Sequence, residues 1–301
     1  MAALWRRGEA PGTHRGRRGP EPGDSADAES HVAFGFTPPA HAQEAWVAAP
    51  AGSIRLLEVN PEAPLAVVFV HGLAGRLEHW MPQLAAAGPG MRAIAFDLPG
   101  HGGSDAPPTT DVASLSSAIA AVLDGLGLRR ALIVGHSLGA SAAIEFAASH
   151  PGRALGLVLV DPNGDQTRLP EAQRQDLLAA VERDPRAELG WQYRQILHAA
   201  QPDVAERILA DLDETAEEVL LGYLAASLDH SPIPGLERYQ GPVHSLISDL
   251  NDLPFSLHRL LPDLPVRYVT GTSHWLMLDR PDDFWELLLD TLDTLRDAGK
   301  L

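Results

Sequence analysis

The chain has 301 residues, 45% of them hydrophobic, with a formal net charge of −17 and no cysteine. That length and apolar share can hold one large core with an inserted lobe. The charge argues against nucleic acid or an anionic membrane as a partner, since both are bound through clustered lysine and arginine, and the missing cysteine excludes disulfides, thiolate metal sites and a cysteine nucleophile.

Residues 1–40 are rich in Gly, Pro, Arg and acidic residues without apolar periodicity, so they are expected to be a disordered leader. Arg6 and Arg7 are not followed by an apolar run, which argues against a secretory signal, and no later run is long enough to span a bilayer. A cytoplasmic protein is expected. From residue 41 the pattern changes to short apolar runs separated by turn residues. Residues 45–49 and 53–59 predict an antiparallel hairpin at a sheet edge. The runs 65–70, 91–96, 131–134, 155–160, 243–247 and 266–269 are nearly all apolar, as in strands covered on both faces.

Helices are predicted over 77–87, 112–126, 140–149 and 281–295, the last with Phe284, Leu287, Leu288, Thr291, Leu292 and Leu295 on one face. Strand and helix therefore alternate. This implies an α/β fold with a mostly parallel central sheet and helices on both faces. The stretch between Val160 and Val243 carries only helical periodicity and is too long for a crossover. Four helices are expected there, with Thr215 and Glu218 as a capping box before the fourth. The predicted organisation is a core of residues 41–165 and 240–301, with residues 166–239 inserted as a helical cap over the carboxyl edge of the sheet.

The most informative stretch is Gly135-His136-Ser137-Leu138-Gly139, a G-x-S-x-G pattern with an apolar strand before it and a helix of small residues after it. Turning from strand to helix in so few residues forces the central residue into a strained conformation and leaves little room two positions either side. Ser137 is thereby lifted above the sheet edge as a candidate nucleophile. The Leu138 amide, at the helix N-terminus, is placed to donate to an oxyanion formed beside it. No G-x-G-x-x-G or P-loop fingerprint is present, and neither a cofactor nor a metal is expected.

Four stretches in order, His71-Gly72-Leu73-Ala74-Gly75, Asp97 to Asp105, the Ser137 turn and Gly271-Thr272-Ser273-His274, together resemble the α/β-hydrolase family. The resemblance covers about residues 45–295. It implies that the Leu73 amide is the second oxyanion donor and that His274, after the last strand, is the general base for Ser137. His71 is expected to brace its loop, Ser104 is a serine without the turn context, and His136 is expected to pack or hydrogen-bond. Trp80, Trp191 and Tyr193 are candidate pocket walls.

In the family the triad acid usually follows the penultimate strand in a Gly-x-x-Asp turn. Here the sequence departs from that pattern and reads Ile247-Ser248-Asp249-Leu250-Asn251-Asp252. Counting from Pro242 puts Asn251 at the expected place. Asp252 is the acid if the turn is one residue longer, and Asp249 if the strand ends early. Asp161, at the end of the preceding core strand, is the third option and ranks behind both.

The implied activity is that of a cofactor-free serine hydrolase, acting through an acyl-enzyme on a small-molecule ester, lactone or related carbonyl compound that is largely apolar. A non-catalytic small-molecule binding protein, a lyase or a cofactor-free haloperoxidase on the same fold are the alternatives.

Overall fold

Aliphatic runs set the central layer of the molecule. In the computed structural model, which describes residues 36–50, 52–297 and 299, eight strands form one sheet. They are β1 (Gln43–Ala49), β2 (Gly52–Val59), β3 (Leu65–Val70), β4 (Met91–Phe96), β5 (Ala131–His136), β6 (Ala154–Val160), β7 (Val243–Ile247) and β8 (Val266–Tyr268). Their spatial order is β1-β2-β4-β3-β5-β6-β7-β8, and β2 runs antiparallel to both β1 and β4 while every other pairing is parallel. Side chains alternate across the sheet. Phe69, Leu132, Val134, Val158 and Val160 enter the core on one face, and Val70, Ile94, Ile133, Leu157 and Leu159 enter the core on the other.

Helices α1 (Met81–Ala86), α2 (Val112–Gly125) and α3 (Leu138–Ser149) follow β3, β4 and β5. Between β6 and β7 come α4 (Glu171–Arg183), α5 (Pro185–Ile196), α6 (Pro202–Glu214), α7 (Glu217–Asp229) and α8 (Ile233–Arg238), and α9 (Leu257–Leu260), α10 (Leu276–Asp279) and α11 (Pro281–Asp297) complete the chain order. α1 and α11 cover the first face through Met81, Leu84, Phe284 and Leu288, while α2 and α3 cover the second through Leu115, Ile119, Ala143 and Phe146. Among the described residues no helix is long and apolar enough to cross a membrane.

The expected leader lies outside the described residues up to residue 35, and Phe36, near its end, is half-buried against the core. Two local expectations meet a different arrangement. The stretch 77–87 is a 3₁₀ turn over Leu77–Trp80 that runs into α1, with Pro82 in the first turn of the helix. Thr215 forms no capping box. It ends α6 instead, its hydroxyl donating to the Asp211 carbonyl at 2.8 Å, because Ala216 occupies the N-cap of α7. α4 to α7 pack on one another, whereas α8 packs on α3, where Gly235 lets the chain approach Ile144.

A buried polar cluster ties α6 to the segment that follows β3. Asp211 accepts from His79 Nε2 at 2.9 Å and from Arg207 Nε at 3.0 Å, with Arg76 Nη1 at 3.3 Å. Burial alone would raise the Asp211 carboxyl, but the hydrogen bonds from His79 and Arg207 outweigh it and hold the group below its ordinary value of 3.8. A depressed folded-state value stabilises the fold above the unfolded value, and that contribution is lost as pH falls below about 3.8. Asp211→Ala is expected to cost about 1–3 kcal/mol at neutral pH, less than a fully buried pair because the arginines are partly solvated. Chemical denaturation of both proteins at pH 7 and pH 3 checks this: the gap between them should shrink at the lower pH.

Candidate active site

The turn from β5 into α3 is built by clashes that only glycine avoids. A Cβ on Gly135 would lie 2.4 Å from the Gly139 carbonyl oxygen, and one on Gly139 would lie 2.4 Å from the carbonyl of Val70. Ser137 between them has φ 53° and ψ −116°, a conformation rare for a residue with a side chain, and is held there by its N–H donating to Val160 O at 3.0 Å. Ser137 precedes the first residue of α3, Leu138, so the Leu138 amide belongs to the helix turn whose N–H groups lack intrahelical partners. The Ser137 hydroxyl donates to Asn163 Oδ1 at 3.3 Å, and among the described residues no hydrogen bond joins it to His274.

His274 lies between β8 and α10. Its loop is fixed by Asp279, whose Oδ2 accepts from the Ser273 N–H at 2.8 Å and the Ser273 hydroxyl at 2.5 Å. The His274 N–H donates to Ile196 O at the end of α5. Its Nδ1 donates to Asp161 Oδ2 at 2.7 Å, leaving Nε2 for another partner.

Asp161 follows β6 directly, is 1% exposed and has φ 42°. It also accepts from the Ser248 amide at 2.8 Å and the Ser248 hydroxyl at 2.9 Å. The structure therefore brings the third-ranked carboxylate to the histidine and neither of the other two. β7 ends at Ile247, and Ser248 caps a 3₁₀ turn over Asp249–Asn251 that swings both acids away. Asp249 accepts the Gly271 amide at 2.9 Å, while Asp252, 40% exposed, is paired twice with Arg259 at 2.6 Å. Ser248 gave no signal in the sequence beyond its place at a strand end.

The loop after β3 is fixed peptide by peptide. Gly72 O accepts from Gly75 N and from His71 Nδ1, at 2.7 Å for the latter, so the Leu73 amide, on the far side of the same peptide, points away from both donors, and Leu73 borders the pocket. On the next peptide, Leu73 O accepts the Tyr193 hydroxyl of α5 at 2.7 Å and the Ala74 N–H donates to His101 Nε2 at 3.2 Å. His71 Nε2 in turn accepts the Leu98 N–H at 2.9 Å. Burial, then the neighbouring His101, pushes His71 well below the ordinary imidazole range, and burial lowers His101 to about 4, so both act as neutral braces. The segment 97–105, given no chemistry from sequence, thus supports the loop that carries Leu73. Tyr193→Phe keeps ring packing on Trp275 and removes one hydrogen bond. It is expected to destabilise the fold by about 0.5–1.5 kcal/mol, measured by chemical denaturation.

His136 packs against His274 with ring centroids 4.6 Å apart and the rings tilted by 48°, and its Nε2 donates to His274 O at 2.9 Å. Burial, with the adjacent His274, keeps it neutral. Ser104 is structural, its hydroxyl donating to Asp97 O. Of the aromatic candidates only Tyr193 lines the pocket. Trp80 is fully buried in the core against Phe69 and Phe284, and Trp191 faces a separate groove. The pocket above Ser137 is walled mainly by apolar side chains, among them Leu177, Leu189, Leu224, Leu228 and Trp275. Among the described residues no group of three or more His, Asp or Glu is placed to hold a metal ion.

Residues 67–287 match the model of the Alpha/beta hydrolase family. An sn-1-specific diacylglycerol lipase of Mus musculus is 26% identical over 80% of this chain and 84% of its own. The dihydrolipoyllysine-residue acetyltransferase component of the acetoin cleaving system of Cupriavidus necator is 36% identical over 33% of this chain. The chain spans only 26% to 41% of the length of several such curated relatives. Among solved structures, the esterase of Exiguobacterium antarcticum superposes with a TM-score of 0.71 at 19% identity, covering 83% of this chain and 100% of that one, which is a likeness of fold.

Proposed function

Because the chain belongs to the alpha/beta hydrolase family, we propose that it is a serine hydrolase in which Ser137, His274 and Asp161 form the triad, with α4 to α7 as a cap over the pocket. The observation that carries this reading is the 2.7 Å hydrogen bond from His274 Nδ1 to the buried Asp161, made in the same pocket as the strained Ser137. Asp161 holds the imidazole with its proton on Nδ1, so that Nε2 is free to take the Ser137 proton. The hydroxyl leaves Asn163 for Nε2 and attacks the carbonyl carbon. The Leu73 and Leu138 amides donate to the resulting oxyanion, and the imidazolium passes its proton to the leaving group. Water, deprotonated by His274, then attacks the acyl-enzyme and frees Ser137.

Apolar walls that hold no Lys, Arg, Asp or Glu favour a neutral and largely hydrophobic ester or lactone over a polyanion. The relatives with lipase and esterase descriptions support acyl-ester chemistry. A fluorophosphonate probe tests the proposal, since it reacts only with an activated serine. Labelling of the wild type that disappears in Ser137→Ala is expected, and a wild type that stays unlabelled refutes the reading.

A further inference from the structure

Among the described residues three buried polar atoms of pocket-lining side chains have no hydrogen-bond partner, Gln166 Oε1, His136 Nδ1 and the Tyr223 hydroxyl, and of these only Gln166 offers an amide oxygen. Gln166, 9% exposed, lines the pocket, and its Oε1 is buried without a hydrogen-bond partner among the described residues. The residue is held firmly. It begins a 3₁₀ turn over Gln166–Arg168 whose preceding residue, Asp165, accepts from the Thr167 hydroxyl at 2.5 Å and the Ser231 hydroxyl at 2.9 Å. A buried amide oxygen without a donor is costly, and such an atom in a pocket is paired when the pocket is filled.

Asn163 supplies a second acceptor in the same pocket. Its Nδ2 donates to Ser227 on α7 at 3.0 Å, which fixes the side chain so that Oδ1 faces Ser137. Once the Ser137 proton has passed to His274, that oxygen loses its donor as well. Asn163, Gln166 and Phe255 also wall a second cavity beyond His274 that reaches Asp249 and Asp252, so both acceptors stand between the two cavities.

We propose that Gln166 and Asn163 form a hydrogen-bond-accepting subsite that selects neutral esters, thioesters or lactones bearing an amide N–H or a hydroxyl close to the scissile carbonyl. The inference rests on the serine-hydrolase reading and adds to it a specificity determinant. The largely apolar walls of the pocket above Ser137 favour a neutral donor there. An N–H or O–H of the substrate satisfies the orphaned oxygens, and an analogue lacking it leaves them unpaired and is discriminated against.

The test uses p-nitrophenyl esters of N-butanoyl-β-alanine and of its N-methyl counterpart, which differ by the one N–H. The wild type is expected to show a kcat/KM about 10- to 100-fold higher for the N–H ester. In Gln166→Met the ratio should fall toward one. Gln166→Glu, which retains an acceptor oxygen at the same reach, should keep most of the preference. A wild type that does not distinguish the esters overturns the proposal whatever the variants do, and a ratio undiminished in a folded Gln166→Met overturns the role of Gln166. Fluorophosphonate labelling of the same wild-type sample separates the two readings. Labelling with no preference removes only the subsite, whereas no labelling and no turnover removes the hydrolase reading and the subsite with it.

Discussion

Asp161→Asn is expected to lower kcat by roughly 10⁴-fold while the protein stays folded. Asparagine tolerates the left-handed backbone at this position, so the change is almost purely one of hydrogen-bond polarity. The Ser248 amide donates to Oδ1 and will claim the single amide oxygen of the new side chain. Its NH₂ group is then turned to His274, which must present an unprotonated Nδ1 and carry its proton on Nε2. In that tautomer the ring cannot accept from Ser137. Asp249→Asn and Asp252→Asn, each engaged elsewhere, should remain within about threefold of the wild type. Steady-state kinetics on one chromogenic ester with all three variants decides the assignment, and a collapse in Asp252→Asn with an active Asp161→Asn would reverse it.

Ser137→Ala and His274→Ala should each reduce kcat by about 10⁴- to 10⁶-fold, and the double variant should be scarcely worse than either. The reason is that a hydroxyl without its base is a poor nucleophile, and a base without its hydroxyl has no proton to take. Once either is gone, the other contributes almost nothing to the remaining turnover, which comes from the oxyanion donors and substrate binding. Burst-free single-turnover rates for the three variants provide the measurement. Losses that multiply would mean the residues act independently and would argue against a triad.

Much of the architecture was legible in the chain because burial on both faces writes itself as unbroken aliphatic runs. The strands at Val67, Ile94, Ile133 and Leu157 fall where those runs lie. Ser137 and His274 were legible for a different reason: a tight strand-to-helix turn imposes glycine two residues either side, and a histidine after the last strand has a fixed place in the chain order. The carboxylate beside His274 was not. A carboxylate need only reach Nδ1, and the strands β6 and β7, each followed by aspartates, are neighbours in the sheet. Which of them supplies it depends on whether the chain after Ile247 turns inward or closes into a 3₁₀ turn, and the aspartates at 249 and 252 look alike in sequence on either outcome. The Thr215 misreading has the same origin, because the pattern of a capping box does not say whether the threonine ends one helix or begins the next. Tyr193 was named only as a pocket wall, and its hydrogen bond to Leu73 O, like that of His101 to the Ala74 N–H, was hidden because a backbone partner leaves no side-chain pattern.

The hydrogen bond from Tyr193 to the Leu73 carbonyl spans two layers of the molecule, from α5 to the loop after β3. At 2.7 Å it tolerates only about half an ångström of separation before it ceases to be a hydrogen bond. The same helix ends at Ile196, whose carbonyl receives the His274 amide. The loop after β3 and the loop that carries His274 are therefore coupled through a single helix, and a displacement of α5 that broke one of these hydrogen bonds would strain the other.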